Sequence, residues 1–225
     1  MHGGRLIRHV IFDLDGTLVD SCGVCVSILS DMIADRGIDH AIDPVSARPY
    51  MSRGGQDMVS ALLGPACADP ATDLIDFRAR YAAYVTPADS LYPGVAEAIS
   101  QLHAMGLELA ICSNKPQPLC EKVLADTGMA PYFRVVVGGR PGVAPKPAPD
   151  LLDQVAQQLG CASHEAIFVG DSELDHDVAQ AAGMAFFFLT YGYAQPNWTP
   201  RAGESFDCFP SLATALAARV ARAHA

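Results

Sequence analysis

A chain of 225 residues, 50% hydrophobic and 18% charged, can bury a large core and is too apolar to stay disordered. Its formal net charge of −10 argues against a nucleic-acid or anionic-membrane partner, and any phosphate-bearing ligand must therefore meet a locally positive site. Seven cysteines, an odd number, fit a reduced compartment better than a disulfide framework, and the longest strongly apolar run, residues 185–189, is too short to span a bilayer, so a cytoplasmic location is expected.

The first predicted element is a strand over 6–12 that runs into Asp13-Leu14-Asp15-Gly16-Thr17. Side chains two apart on an extended segment point the same way, so Asp13 and Asp15 leave the strand end together, and Gly16 permits a tight turn beside them. Adjacent carboxylates repel unless a cation sits between them. A hydrated Mg2+ ion answers this, because it takes a few oxygen ligands and keeps its waters.

From about 20 to 89 the texture is helical. Val24, Ile28, Met32 and Ile33 recur at helical spacing up to Gly37. A second helix is predicted at 56–63, after Ser52-Arg53-Gly54-Gly55, and a third at 70–85. Cys22-Gly23-Val24-Cys25 has the spacing of half a zinc site, but no second pair follows, and ordinary buried thiols are expected. Beyond Tyr92-Pro93-Gly94, helices at 95–105, 118–125, 149–159, 175–182 and 211–222 alternate with short apolar strands at 107–112, 135–137, 166–169 and 185–189. That alternation means a parallel sheet covered on both faces. The expected organisation is an α/β core domain (1–19 and 90–225) interrupted by a helical cap domain (20–89), with the crossings near Asp20-Ser21 and Asp89-Ser90.

Ligands of such sheets bind outside the carboxyl ends of the strands, and the later strand ends all carry chemistry. The strand 107–112 ends in Ser113-Asn114-Lys115, a hydroxyl and an amide able to hydrogen-bond a phosphoryl oxygen. Lys146 stands in Pro145-Lys146-Pro147-Ala148-Pro149, where the prolines stiffen the loop and aim the lysine. The strand 166–169 ends in Gly170-Asp171-Ser172-Glu173-Leu174-Asp175, so Asp171 leaves a strand as Asp13 does and Asp175 follows one helical turn later. Asp177 lies deeper and off that face, and suits a helix-terminus acid. Together these groups suggest phosphoryl transfer. Mg2+ would be held by Asp13, Asp171 and the carbonyl of Asp15, while Asp13 attacks phosphorus. Ser113 and Lys146 would bind the equatorial oxygens, and Asp15 would act as acid and then base.

These ordered motifs resemble those of the haloacid dehalogenase superfamily over nearly the whole chain. Within it the chain is most similar to phosphoglycolate phosphatases, through Thr17-Leu18-Val19-Asp20-Ser21, Tyr92-Pro93-Gly94-Val95, Ser113-Asn114-Lys115-Pro116, Gly138-Gly139, Lys146-Pro147-Ala148-Pro149 and Thr190-Tyr191-Gly192-Tyr193. Arg140 departs from the pattern, which has an acidic residue there. The resemblance implies a Rossmann-like core, Mg2+ dependence, and a cap that opens and closes and sets specificity. Asp15 speaks against halide displacement, and the absence of lysine between Asp20 and Tyr92 speaks against a Schiff-base phosphonatase. The expected activity is hydrolysis of a small phosphorylated metabolite, foremost 2-phosphoglycolate, by a monomer or homodimer. Thr17, Asn114 and Arg53 are the expected substrate contacts, and Asp175 supports the metal ligands from behind. Sugar-phosphate mutase, pyrophosphatase and nucleotidase activities are alternatives, as is a phosphate-binding module without catalysis.

Overall fold

The computed structural model describes residues 7–221. Six parallel strands, β1 (His9–Phe12), β2 (Glu108–Pro116), β3 (Phe133–Gly139), β4 (Ala166–Gly170), β5 (Ala185–Leu189) and β6 (Glu204–Phe206), form one sheet in the order β3-β2-β1-β4-β5-β6. This is a doubly wound, Rossmann-like α/β fold. The order reverses where β1 adjoins β4, and a crevice opens at that point in such sheets. Phe12 is in register with Ile111 on one side and Val169 on the other. The segments leaving β1, β2 and β4 therefore emerge at the same level.

The strands read as continuous apolar runs because both faces are covered. Val10 and Phe12 of β1 face a cluster containing Ile99, Leu124 and Leu212, from α5 (Val95–Ala104), α6 (Gln117–Asp126) and α9 (Phe209–Ala221). Ile11 and Phe168 face the other cluster, with Leu152 of α7 (Asp150–Leu159) and Val178 of α8 (Glu173–Ala181).

Four helices, α1 (Cys22–Asp35), α2 (Pro44–Met51), α3 (Gly55–Leu63) and α4 (Pro70–Ala83), lie between β1 and β2. They bury Leu29, Met32, Val59, Leu63 and Tyr81 among themselves. The two chain crossings are tied to each other: Asp20 N–H donates to Ser90 O (2.8 Å) and Tyr92 N–H to Leu18 O (3.0 Å). Arg48 of α2 reaches back to the sheet side, donating to Asp20 Oδ2 (2.7 Å) and to the carbonyl of Tyr191 (3.1 Å).

The structure departs from the predicted elements at three places: β2 runs on through Ser113 to Pro116 past the predicted end at 112, and two elements are new. Helix α2 is an addition: only Ala47 is buried along it and Pro49 interrupts it, so no apolar period betrays it. Its signal is at the start, where Asp43 accepts from Ser46 N–H (3.0 Å) and Pro44 follows. Strand β6 is three residues long at the sheet edge, below what alternation can reveal. Leu6 of the first predicted strand and Arg222 of the last predicted helix lie outside the described residues. All seven cysteines are free, and burial raises Cys22 to about 11 and Cys25 to about 12, as befits inert thiols. Among the described residues no helix is long and apolar enough to cross a membrane.

Gly138 near the end of β3 allows the loop after β2 to pack onto it. A Cβ there would lie 2.6 Å from Gln117 Cα and 2.8 Å from Lys115 O, backbone atoms that cannot step aside. Gly138→Ala is expected to cost about 2 kcal/mol, read as a lower urea midpoint at unchanged slope.

Candidate active site

At the end of β1 the ladder continues for one residue, with Asp13 N–H donating to Val169 O (2.9 Å), and then turns. Gly16 makes the turn possible. Its φ is +86°, and a Cβ would meet Asp171 Oδ2 at 2.2 Å. The carboxylate of Asp171 thereby packs against bare backbone, receiving Thr17 Oγ1–H at Oδ1 (2.7 Å) and Tyr193 N–H at Oδ2 (2.7 Å). Thr17, expected to contact substrate, instead orients Asp171.

Lys146 is the hub of the charges. It is only 4% exposed, and its ammonium lies 2.6 Å from Asp175 Oδ1 and 3.0 Å from Asp13 Oδ1, donating also to Cys112 O (3.2 Å). Burial alone would lower its pKa, but Asp13 and Asp175 more than offset that and hold it above the usual lysine range. The loop is locked by Asn114, whose Oδ1 accepts from Lys146 N–H (2.7 Å) and whose Nδ2 donates to Lys146 O (3.0 Å). Asn114 thus aims the lysine, and it also lines the cavity where a substrate contact was expected. Asp175 also receives Asp171 N–H, Ser172 N–H and the Ser172 hydroxyl at its second oxygen (3.2, 3.1 and 2.6 Å). This carboxylate caps α8 and braces Lys146 at once. Asp177 is exposed and apart from the site.

A cavity of about 160 Å3 opens beside these groups, walled on the sheet side by Asp13, Asp15, Ser113 and Lys146, and on the helical side by Arg53, Phe77, Arg78 and Tyr81. Arg53 lies at its rim, its guanidinium 4.6 Å from the Tyr50 ring centre. Two cavity residues were absent from the expected set. Lys115 places Nζ 3.1 Å from both oxygens of Asp15, and Arg78 exposes its guanidinium on α4. The signal for Lys115 was its rarity: it is one of three lysines in the chain, directly after Ser113-Asn114. Arg140 is exposed.

Asp13, Asp171 and Asp175 each offer an oxygen within 4.8 Å of the others, all buried. Burial pushes Asp13 up to about 6, with Lys146 and the Ser113 hydroxyl opposing and Asp175 and Asp15 reinforcing. Burial and the carboxylates of Asp175 and Asp13 raise Asp171 well above the carboxylate range. Lys146 supplies one positive charge against three carboxylates. The donor set is hard oxygen and the uncompensated charge is about that of a divalent ion, so the residues fit Mg2+.

The family model of haloacid dehalogenase-like hydrolases matches residues 10–189. The phosphoglycolate phosphatase of Rhodobacter capsulatus is 35% identical over 191 residues, covering 82% of this chain and 84% of that one. That of Yersinia pseudotuberculosis is 36% identical over 194 residues, covering 84% and 83%. A crystal structure of a predicted phosphoglycolate phosphatase from Haemophilus somnus superposes with a TM-score of 0.78 at 25% identity, over 93% of this chain and 98% of that one. The chain belongs to the haloacid dehalogenase-like hydrolases.

Without metal, Asp13 titrates higher in the folded chain than its unfolded value of 3.8, so its contribution to stability is present below that value and is lost as the pH rises through about 6. In chelator, the thermal midpoint should therefore fall between about pH 4 and about pH 6 by more in the parent than in Asp13→Asn. Mg2+ should raise the midpoint at neutral pH, and Asp171→Asn should abolish that rise.

Proposed function

We propose that this haloacid dehalogenase-like hydrolase is a Mg2+-dependent phosphatase of small phosphate monoesters, with 2-phosphoglycolate as its foremost substrate. The observation that carries the proposal is the convergence of Asp13, Asp15, Ser113 and Lys146 on one small cavity at the carboxyl ends of β1, β2 and β4. Four cations, Arg53, Arg78, Lys115 and Lys146, line that cavity in a chain of net charge −10. Asp13, Asp15 and Asp171 line it too, so it is these cations together with the proposed divalent ion that would supply the local positive field a phosphate ester needs. The cavity's size suits a ligand of a few heavy atoms and speaks against a nucleotide. The relatives' names agree with that class.

In the proposed reaction, an oxygen of Asp13 attacks phosphorus as the bond to the ester oxygen breaks, and Asp15 gives that oxygen its proton. Asp15, now a carboxylate, takes a proton from water. The water oxygen then attacks phosphorus and the acyl-phosphate bond breaks, releasing phosphate and Asp13. Ser113 and Lys146 hold the phosphoryl oxygens in place, and Lys146 can do so because Asn114 fixes its backbone. Asp13, Asp171 and the carbonyl of Asp15 would hold Mg2+, which supplies positive charge to a phosphoryl oxygen and relieves the carboxylate repulsion. Residues 20–89 act as the cap domain on a core of 1–19 and 90–225, moving about the tied crossings at Asp20-Ser21 and Asp89-Ser90. The enzyme works in the cytoplasm on a small phosphorylated metabolite, as a monomer or homodimer.

A phosphate-release screen with Mg2+ over phosphoglycolate, pyrophosphate, sugar phosphates and nucleotides tests the substrate class, and turnover of phosphoglycolate should lead. Asp13→Asn should keep its circular dichroism and lose at least about a thousandfold in kcat. Retained turnover would remove Asp13 as the nucleophile. Arg53→Ala should raise KM for phosphoglycolate by about tenfold, and an unchanged KM would take Arg53 out of recognition.

A further inference from the structure

Tyr81 of α4 does something that packing alone does not require. Its side chain is 1% exposed and its ring lies on the cavity wall, yet among the described residues its hydroxyl proton has no acceptor, because its polar neighbour, the Lys115 ammonium, can only donate. A buried phenol without an acceptor is destabilising relative to a phenyl ring of the same shape. One turn earlier on the same helix Phe77 fills a comparable place with no polar atom, its ring 5.9 Å from that of Tyr81. The hydroxyl is therefore superfluous for the apolar contact, and it stands beside a cation: Lys115 Nζ is 4.1 Å from the centre of the Tyr81 ring.

Lys115 itself is a buried lysine whose only carboxylate partner among the described residues is Asp15, reached symmetrically at 3.1 Å to each oxygen. An ammonium bound in this even, forked way by a carboxylate shows what it is shaped to hold. It is distinct from Lys146, which is already occupied by Asp13 and Asp175. Arg53 and Arg78 flank the same cavity from the helical side, and neither forms an ion pair among the described residues.

We propose that Lys115 Nζ and Tyr81 Oη together seat a second anionic group of the substrate, remote from the phosphoryl group, and that Asp15 is the internal counter-ion which that group replaces. The inference rests on the phosphatase function proposed above and deepens it by naming the substrate class: monoesters whose alcohol portion carries its own negative charge, of which the carboxylate of phosphoglycolate is the smallest case. The ligand anion takes the ammonium from Asp15 and receives the phenol's hydrogen bond. Asp15 is then free to take a proton from solvent and to face the ester oxygen to which it gives that proton. Recognition of the anion and release of Asp15 become one event, with a helical-side residue (Tyr81) and a sheet-side residue (Lys115) both required. Ester substrates lacking the charge leave Asp15 clasped.

The test compares two esters with the same phosphoryl group, 2-phosphoglycolate and ethyl phosphate, in the parent and in Tyr81→Phe. The variant keeps the ring over Lys115 and loses only the hydroxyl. The parent should favour phosphoglycolate in kcat/KM, and Tyr81→Phe should narrow that preference by about tenfold, chiefly through KM for phosphoglycolate. Lys115→Met should narrow it further. An unchanged preference in Tyr81→Phe, or equal losses on both esters, would overturn the proposal. Phosphoglycolate binding by Asp13→Asn, alone and combined with Tyr81→Phe, reads the same contact without turnover. The double variant should bind about tenfold more weakly, and equal binding would refute the seat. A parent enzyme that releases phosphate from none of the esters would sink the phosphatase function instead, while leaving that binding difference to stand.

Discussion

A buried ammonium holding apart two buried carboxylates is the constraint on which the site depends. Asp13 and Asp175 come from opposite sides of the fold's switch point, one after β1 and the other one turn into α8, and Lys146 lies between them at 3.0 and 2.6 Å. Such groups would be expelled from a protein interior unless paired and hydrogen-bonded. Lys146 and Asp175 are both, whereas Asp13 Oδ1 has the ion pair with Lys146 and no hydrogen bond among the described residues. Asp175 takes three further donors from the loop of α8, Lys146 a carbonyl from β2, and the lysine's own backbone is clamped at both ends by Asn114. The cluster still carries more negative than positive charge, and Asp171 beside it adds to the excess. A donor set with this imbalance fits a divalent ion, which is the basis of the Mg2+ dependence proposed above.

The sheet's topology explains why four distant segments can share the site. Parallel strands send all their carboxyl ends to one edge, and the in-register pairing of β1 with β2 and β4 brings Asp13, Ser113 and Asp171 level there. The four helices inserted after β1 then roof the same edge. Their attachment is double: the crossings are hydrogen-bonded to each other, while Arg48 of α2 ties to Asp20 and to the Tyr191 carbonyl next to the segment that supports Asp171. The hydrogen-bonded crossings sit at the sheet side of the roof, and the cavity opens between roof and sheet, so movement at the crossings would be felt at the ligand.

Much of this was legible in the chain because it is local. An apolar run ending in an aspartate marks a buried strand and the edge of the site in the same few residues, and two such ends, at Asp13 and Asp171, fell where expected, whereas β2 runs on through Ser113 to Pro116. The missed features share a different physics. Helix α2 is held by an Asp43 cap and by Arg48, with a single buried residue, so hydrophobic period says nothing of it. Thr17 and Asn114 were assigned by chemical type to a ligand, whereas their partners, Asp171 and Lys146, lie 154 and 32 residues away and could be seen only in three dimensions. Lys115 was passed over for the same reason, its counter-ion Asp15 being 100 residues distant.

The two lysines make an instructive contrast. Both are buried, both are held above the usual lysine range by carboxylates that outweigh the cost of burial, and both reach aspartates of the same β1 turn. Lys146 is immobilised by proline neighbours, Asn114 and Asp175, so its charge belongs to the fixed framework. Lys115 has one carboxylate and an aromatic face, and the face belongs to the helical roof. A charge anchored on one side and shared on the other can change partners at small cost, which is what a recognition element needs and a structural ion pair does not. The division of labour proposed for Asp13 and Asp15 would then be mirrored in their counter-ions: the proposed nucleophile is paired with the rigid lysine, and the proposed proton carrier with the one that a ligand would take away.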